Sequence, residues 1–199
     1  MESVLFKGPW VAGAGPADVG VREGKIVLVG AAAAEDCYDR VIPAADCALI
    51  PGLVNCHGHA AMTLFRGIAD DLPLKPWLEE RIWPLEARLT ADCVYWGSML
   101  AIAEMIRGGT TTFTDMYFFE EQTARAAAET GMRAVLSRGI VAGPNTQQAL
   151  AESRQLAADW HGAAGGRITI QLGPHALYTC PPAQLAPVMD LAAELGLAL

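Results

Sequence analysis

Apolar and polar positions fall into two textures along the chain, and the change comes at Ile50-Pro51-Gly52. Before it, from Val4 to about Ala48, short apolar runs are broken by Gly, Pro and charged residues, the texture of short strands. Val21 to Gly30 holds two β-rich runs around a Glu23-Gly24-Lys25 turn, a hairpin signal. After it, strand-like and helix-like runs alternate. Gly52 to His57 is a short apolar run ending in histidines. Thr90 is a good N-cap with Asp92 in the first turn, and the helix that follows carries Val94, Leu100, Ile102, Met105 and Ile106 before Gly108-Gly109 stops it. Thr110 to Met116 is β-branched and aromatic and predicts a strand. Glu120 to Thr130 predicts a helix, Arg133 to Ile140 a strand, Thr146 to about Ala163 a helix, and Arg167 to Gly173 a strand. Pro182 to Leu195 predicts a further helix, stopped by Gly196, and Leu197 to Leu199 reads as the start of another strand.

This is a β-α unit four times over with a fifth strand beginning, so the fold class is α/β with a parallel sheet and crossover helices. An open doubly wound sheet fits the rhythm, although no Gly-rich phosphate loop follows the first strand. A (β/α)8 barrel also fits; it takes roughly 250 residues, and residues 51–199 supply about half of one. The expected organisation is a small β-subdomain over residues 1–50 and the α/β unit over 51–199.

Composition narrows the function classes. Of the 199 residues 52% are apolar and 18% charged, which suits a soluble globular chain and not a disordered one. The net charge of −8 argues against a phosphate backbone as partner, so no nucleic acid is expected. The opening Met1-Glu2-Ser3-Val4 lacks the basic start and apolar run of a signal peptide. The longest uncharged apolar stretches, such as Ile26 to Ala34, are too short to span a bilayer. The expectation is a soluble cytoplasmic protein with no membrane partner. Five cysteines, an odd number without a CxxC pair, argue against a disulfide framework or a Cys-rich zinc site.

The chemistry is carried by His57-Gly58-His59. In a strand, residues i and i+2 point to one side, so two imidazoles so placed can reach one metal ion. Gly58 leaves the space between them open, and Cys56, of opposite parity, points away. The pair ends its strand, the face on which parallel barrels build active sites. Zinc is the ion that imidazole suits, with an open position kept for water. The alternative is a pair of hydrogen-bonded histidines at a strand end.

The run Pro51-Gly52-Leu53-Val54-Asn55-Cys56-His57-Gly58-His59-Ala60-Ala61-Met62-Thr63-Leu64-Phe65-Arg66-Gly67 resembles the first-strand signature of the amidohydrolase superfamily. Ala69-Asp70-Asp71-Leu72-Pro73-Leu74, Trp77-Leu78, Ile82-Trp83-Pro84-Leu85-Glu86, Gly109-Thr110-Thr111 and Asp115-Met116-Tyr117-Phe118 narrow the resemblance to the 5-methylthioadenosine/S-adenosylhomocysteine deaminases. It runs from about Lys25 to Leu199.

The resemblance implies the N-terminal portion of a metal-dependent (β/α)8, TIM-like barrel preceded by strands of a small β-sandwich, so an incomplete barrel. It implies His57 and His59 as ligands of one zinc or other divalent transition-metal ion. It implies Glu86 as the residue that binds the ribose hydroxyls, Arg138 and His175 as substrate-contacting residues at strand ends, and Trp77 in the segment covering the pocket. Each has a structural alternative: a solvated helix-start residue for Glu86, structural hydrogen bonding for Arg138 and His175, a core position for Trp77. Asp115 also ends a strand and reads as support for the site, and His161 as an exposed residue. The implied activity is hydrolytic deamination of a small-molecule adenine nucleoside, 5-methylthioadenosine or S-adenosylhomocysteine, to the inosine analogue and ammonia. Family members are commonly homo-oligomers.

The sequence departs from the pattern in two places. The loop Gly143-Pro144-Asn145-Thr146-Gln147-Gln148 has no arginine where some members carry one that meets the far end of the substrate. The family's further ligands and its general acid/base, a glutamate three residues after a fifth-strand histidine, fall after Leu199. No catalytic residue is therefore expected within the chain, and the 199 residues alone are expected to be inactive. The other readings are a triazine chlorohydrolase or guanine-type deaminase, or a non-catalytic half that needs a partner chain.

Overall fold

The computed structural model describes residues 2–31 and 37–199, which divide into two compact units, Met1–Gly52 and Leu53–Leu199. The end of the apolar run at Ala32 to Ala34 lies outside the described residues.

The first unit is built of short strands. β1 (Val4–Lys7) pairs antiparallel with β4 (Asp18–Arg22) and parallel with β6 (Arg40–Pro43), and β5 (Lys25–Gly30) completes the sheet in the order β5-β4-β1-β6. β4 and β5 form the expected hairpin. Glu23 and Gly24 turn it with φ of 51° and 72°, the paired positive φ that suits the twist of a two-residue hairpin loop. A second ladder runs β3 (Gly15–Pro16), β2 (Trp10–Val11), β7 (Ala48–Leu49).

In the second unit β8 (Leu53–Asn55), β9 (Thr110–Tyr117), β10 (Arg133–Ile140) and β11 (Ile168–Ile170) lie side by side in chain order, all parallel. β12 (Gly173–Pro174) continues along β10. Between β8 and β9 run a 3-10 helix (Ala60–Phe65), α1 (Leu74–Pro76), a π-helical turn (Trp77–Ile82), α2 (Trp83–Glu86) and the long α3 (Ala91–Arg107). α4 (Glu120–Thr130) leads from β9 to β10, α5 (Thr146–Trp160) and the short turn α6 (Ala163–Gly166) lead to β11, and α7 (Pro182–Leu195) follows β12. Strand order equal to chain order is the winding of a barrel. A doubly wound sheet would reverse direction at a switch point.

The helices sit where capping and periodicity put them. Thr90 Oγ1 accepts the Cys93 amide at 3.3 Å, satisfying one of the free donors at the start of α3. Gly131 and Gly196 close α4 and α7 in the left-handed conformation. One face of the sheet packs against α3, α4 and α5: Phe113, Ala134, Leu136, Ile168 and Ile170 meet Ile102, the alanines of α4 and Leu156. Each fully buried Leu or Ile there contributes roughly 1.5–3 kcal/mol. Among the described residues no helix is long and apolar enough to cross a membrane.

Beyond β10, three expected elements differ. The helix expected to reach Ala163 ends at Trp160, because the chain turns left-handed at Gly162, with φ of 80°. The strand expected over Arg167 to Gly173 is broken at Gln171-Leu172: the Gln171 amide still reaches β10 at Leu136, while the Leu172 amide turns away to the Ala198 carbonyl, 2.9 Å. Leu197 to Leu199 is not a strand, although Ala198 accepts that bond.

Candidate active site at the strand ends

His57 and His59 lie beyond Asn55, where β8 has already ended, so strand parity does not bring their rings together. The loop does. The Asn55 side chain accepts the His57 amide at 3.3 Å, and the Gly58 carbonyl accepts the Met116 amide of β9 at 3.4 Å. Gly58 fits against β9 because it has no side chain; a Cβ there would stand 3.3 Å from the Thr114 carbonyl. The two imidazoles end 5.2 Å apart between centroids, nearly perpendicular at 79°. Cys56 is exposed, with its Sγ turned back toward the Val54 carbonyl.

His59 Nδ1 is 2.7 Å from the Met116 carbonyl oxygen. A carbonyl only accepts, so Nδ1 carries the proton and Nε2 keeps its lone pair. A ring fixed in this way is the form in which histidine binds a metal.

Asp115 anchors the next residue. Its carboxylate is fully buried and accepts the Ala60 amide at 3.0 and 3.2 Å and the Met116 amide at 3.1 Å. Burial pushes this carboxyl up to about 7, against the pull of the two amides. The 3-10 helix that Ala60 begins docks on α3 at Gly97, where a Cβ would come within 2.7 Å of the Ala61 carbonyl, and Thr63 Oγ1 donates to the Gly97 carbonyl at 2.8 Å. The histidine loop is thus held from β9 and from α3.

Glu86, at the end of α2, is half-buried, and its Oε1 accepts the Tyr117 hydroxyl at 2.8 Å. Burial, then the neighbouring Glu86 carboxylate, raise the Tyr117 phenol well above its ordinary range, so it stays a donor. The Tyr117 ring lies 6.1 Å from the His59 ring, which connects the carboxylate to the histidine pair.

His175 follows β12. Its amide donates to the Ile140 carbonyl at 2.9 Å, and its Nδ1 pairs with Thr179 Oγ1 at 2.9 Å. Burial lowers its pKa, His59 lowers it further, and Glu86 pulls the other way. His175, His59 and Glu86 therefore share one electrostatic neighbourhood.

Arg138, near the end of β10, shares a cavity of about 800 Å³ with Glu86, Trp83 and Phe118. Its Nε donates to Glu152 Oε2 at 2.6 Å, Nη1 donates to the Gly139 carbonyl, and its guanidinium lies 5.0 Å from the Phe118 ring centroid. Trp77, on the π-helical turn, is half-buried and does not line this cavity; Trp83 does.

The structure thus gathers His57, His59, Glu86 and His175 and sets Arg138 beside Glu86. Tyr117 and Glu152 belong to the arrangement and were not read from the sequence. Tyr117 has a local signal, an aromatic residue closing a β-branched strand; Glu152 has none. His161 is exposed, as expected, and in addition accepts the Ile170 amide on Nδ1 at 3.1 Å, which satisfies a donor of β11. Among the described residues no group of three or more His, Cys, Asp or Glu is placed to hold a metal.

Residues 48–199 match the model of the Amidohydrolase family. The chain belongs to that family. It is 58% identical over 164 residues to a 5-methylthioadenosine/S-adenosylhomocysteine deaminase of Syntrophomonas wolfei, covering 82% of this chain and 38% of that protein. It is 52% identical over 186 residues to the protein of the same name from Desulforudis audaxviator, covering 92% and 43%. Among solved structures, an adenosine deaminase from Xanthomonas campestris with bound zinc superposes with a TM-score of 0.87 at 36% identity, covering 98% of this chain and 47% of that one. An atrazine chlorohydrolase from Arthrobacter aurescens complexed with zinc superposes with a TM-score of 0.83 at 21% identity, which speaks for the fold alone. This amidohydrolase chain is the N-terminal portion of a TIM-like barrel and spans less than half the length of these curated relatives.

Proposed function

We propose that this chain supplies part of the active site of a metal-dependent hydrolytic deaminase of adenine nucleosides, with 5-methylthioadenosine or S-adenosylhomocysteine as substrate. The observation that carries the reading is the His59 Nδ1 bond to the Met116 carbonyl, 2.7 Å, beside a second imidazole 5.2 Å away. Two imidazoles, one with its proton committed, fit the nitrogen donors of a catalytic zinc or similar divalent ion. The zinc-bound adenosine deaminase relative and the names of the close relatives support the same reading.

In the reaction, water adds to C6 of the adenine ring and the exocyclic amine leaves as ammonia, giving the inosine analogue. A divalent metal supplies the chemistry that acidifies water near neutral pH. His57 and His59 would hold it, and the proton-shuttling carboxylate is assigned to none of these residues. Glu86 accepts hydrogen bonds from the ribose hydroxyls with the oxygen that Tyr117 leaves free, which fixes the ring against the reacting centre. His175, uncharged at neutral pH because its pKa is lowered, presents a ring nitrogen to the substrate. Arg138 lines the approach beside Glu86, and Trp77 belongs to the segment taken to cover it.

The test is a substrate panel with the whole gene product loaded with zinc. Ammonia release from 5-methylthioadenosine is expected. Turnover of guanine or a chlorotriazine with none of 5-methylthioadenosine would overturn the reading.

A further inference from the structure

α3 is apolar on two sides. Val94, Ala101 and Ile102 are buried in the clusters that hold Phe113 and Tyr117 of β9. Directly opposite, at helical spacing, Asp92, Trp96, Leu100, Ala103 and Arg107 are all exposed, Trp96 by 63% and Leu100 by 44%. The flanks between the two faces are occupied. Tyr95 and Ser98 bond to Glu129 and Thr123 of α4 on one side, and Arg66 donates twice to Glu104 on the other. Strands that complete a barrel add to the edges of the sheet, and their helices flank α3 instead of lying over its outer face. A lone exposed apolar residue is ordinary. A Trp-Leu-Ala stripe with a charge at each end is the pattern of a helix that packs on both faces.

The stripe is also self-complementary. Trp96 and Ala103 lie equally far from the midpoint between Met99 and Leu100, and so do Asp92 and Arg107. Two copies of α3 laid antiparallel about a two-fold axis through that midpoint bring each Trp96 against the small Ala103 of the other copy. The two Leu100 side chains then meet at the centre, and each Asp92 faces an Arg107 of opposite charge. Large sits against small and acid against base along a contact about 22 Å long, the rise of the helix from one charge to the other.

We infer that this face of α3 is a two-fold interface between copies of the chain, each stripe covered by the same stripe of a second copy. The contact involves neither the histidine pair nor Glu86, so it stands apart from the deaminase reading.

The experiment is analytical sedimentation of the whole zinc-loaded gene product across a range of concentrations, with the urea midpoint of each variant measured alongside. The native protein is expected to self-associate, and Trp96→Glu to halve the size of the assembly at the native midpoint. The charges test the register. Asp92→Arg alone sets like charges against Arg107, and Arg107→Asp alone sets them against Asp92, so each is expected to raise the dissociation constant about tenfold. The two together restore opposite charges across the axis and are expected to bring the constant back to within about threefold of native. Charges that only compensate the α3 dipole would make the double variant the worst of the three, and that result overturns the inference. A native monomer overturns it, the stripe then being bare or covered by another part of the gene product, and so does an assembly of native size in Trp96→Glu. Where Trp96→Glu lowers the midpoint, the charge set decides on its own.

Discussion

The Tyr117 hydroxyl donates a 2.8 Å hydrogen bond to Glu86, joining the last residue of β9 to the end of α2, 31 positions earlier in the chain. The bond holds one carboxylate oxygen and leaves the other for a ligand. Its ring also packs near His59, so one side chain fixes two parts of the site.

Removing that donor frees Glu86 to rotate. A hydrogen bond to a charged group is worth about 1.5–3 kcal/mol, so Tyr117→Phe is expected to lower kcat/KM for 5-methylthioadenosine by about tenfold or more. Glu86→Ala, which removes the ribose acceptor itself, is expected to cost more. Both variants keep the native metal content. Steady-state kinetics with metal analysis checks this, and loss of metal in Glu86→Ala would contradict the assigned role.

Gly97 is where the segment after the histidines meets α3. Gly97→Ala would force its Cβ toward the Ala61 carbonyl, 2.7 Å away with no room to yield. Overpacking of this kind costs about 1–3 kcal/mol. A lower midpoint in urea is expected, together with weaker metal binding, because the Ala60–Phe65 turn shifts with it. Native stability and native metal affinity together would show that this contact does not position the loop.

Asp115 gives a pH dependence whose sign follows from burial. Its carboxyl titrates near 3.9 when unfolded and at about 7 when folded. The folded state therefore holds the proton more tightly. The stability this provides is full below about pH 4 and is lost as pH rises through 7. Glu120, also buried and raised by burial and by Asp115, acts in the same direction. Metal-free protein is expected to show a falling urea midpoint between pH 5 and 8, with a shallower slope in Asp115→Asn. An unchanged slope in the variant would contradict the assignment.

What could be read from the sequence was the locally determined part. α4, β10 and α7 have the bounds their residues predict, because a helix stopped by Gly131 or Gly196 and a β-branched strand are settled within a few residues. The β11–β12 break was not legible, since it depends on a bond between Leu172 and Ala198 across α7. The histidine pair was found for an incomplete reason. Its spacing drew attention, but the rings meet through a loop anchored on Asn55, Met116 and Asp115, and the last two are far away in the chain. The Arg138–Glu152 pair was invisible for a similar reason: a glutamate on an exposed helix looks solvated until β10 is packed beneath it.

The most direct measurement is the metal content of the whole gene product by elemental mass spectrometry, native against His59→Ala. The account predicts one zinc or similar divalent ion per native chain and its loss in the variant. Metal retained at the native level in His59→Ala would contradict the histidine pair as its holder.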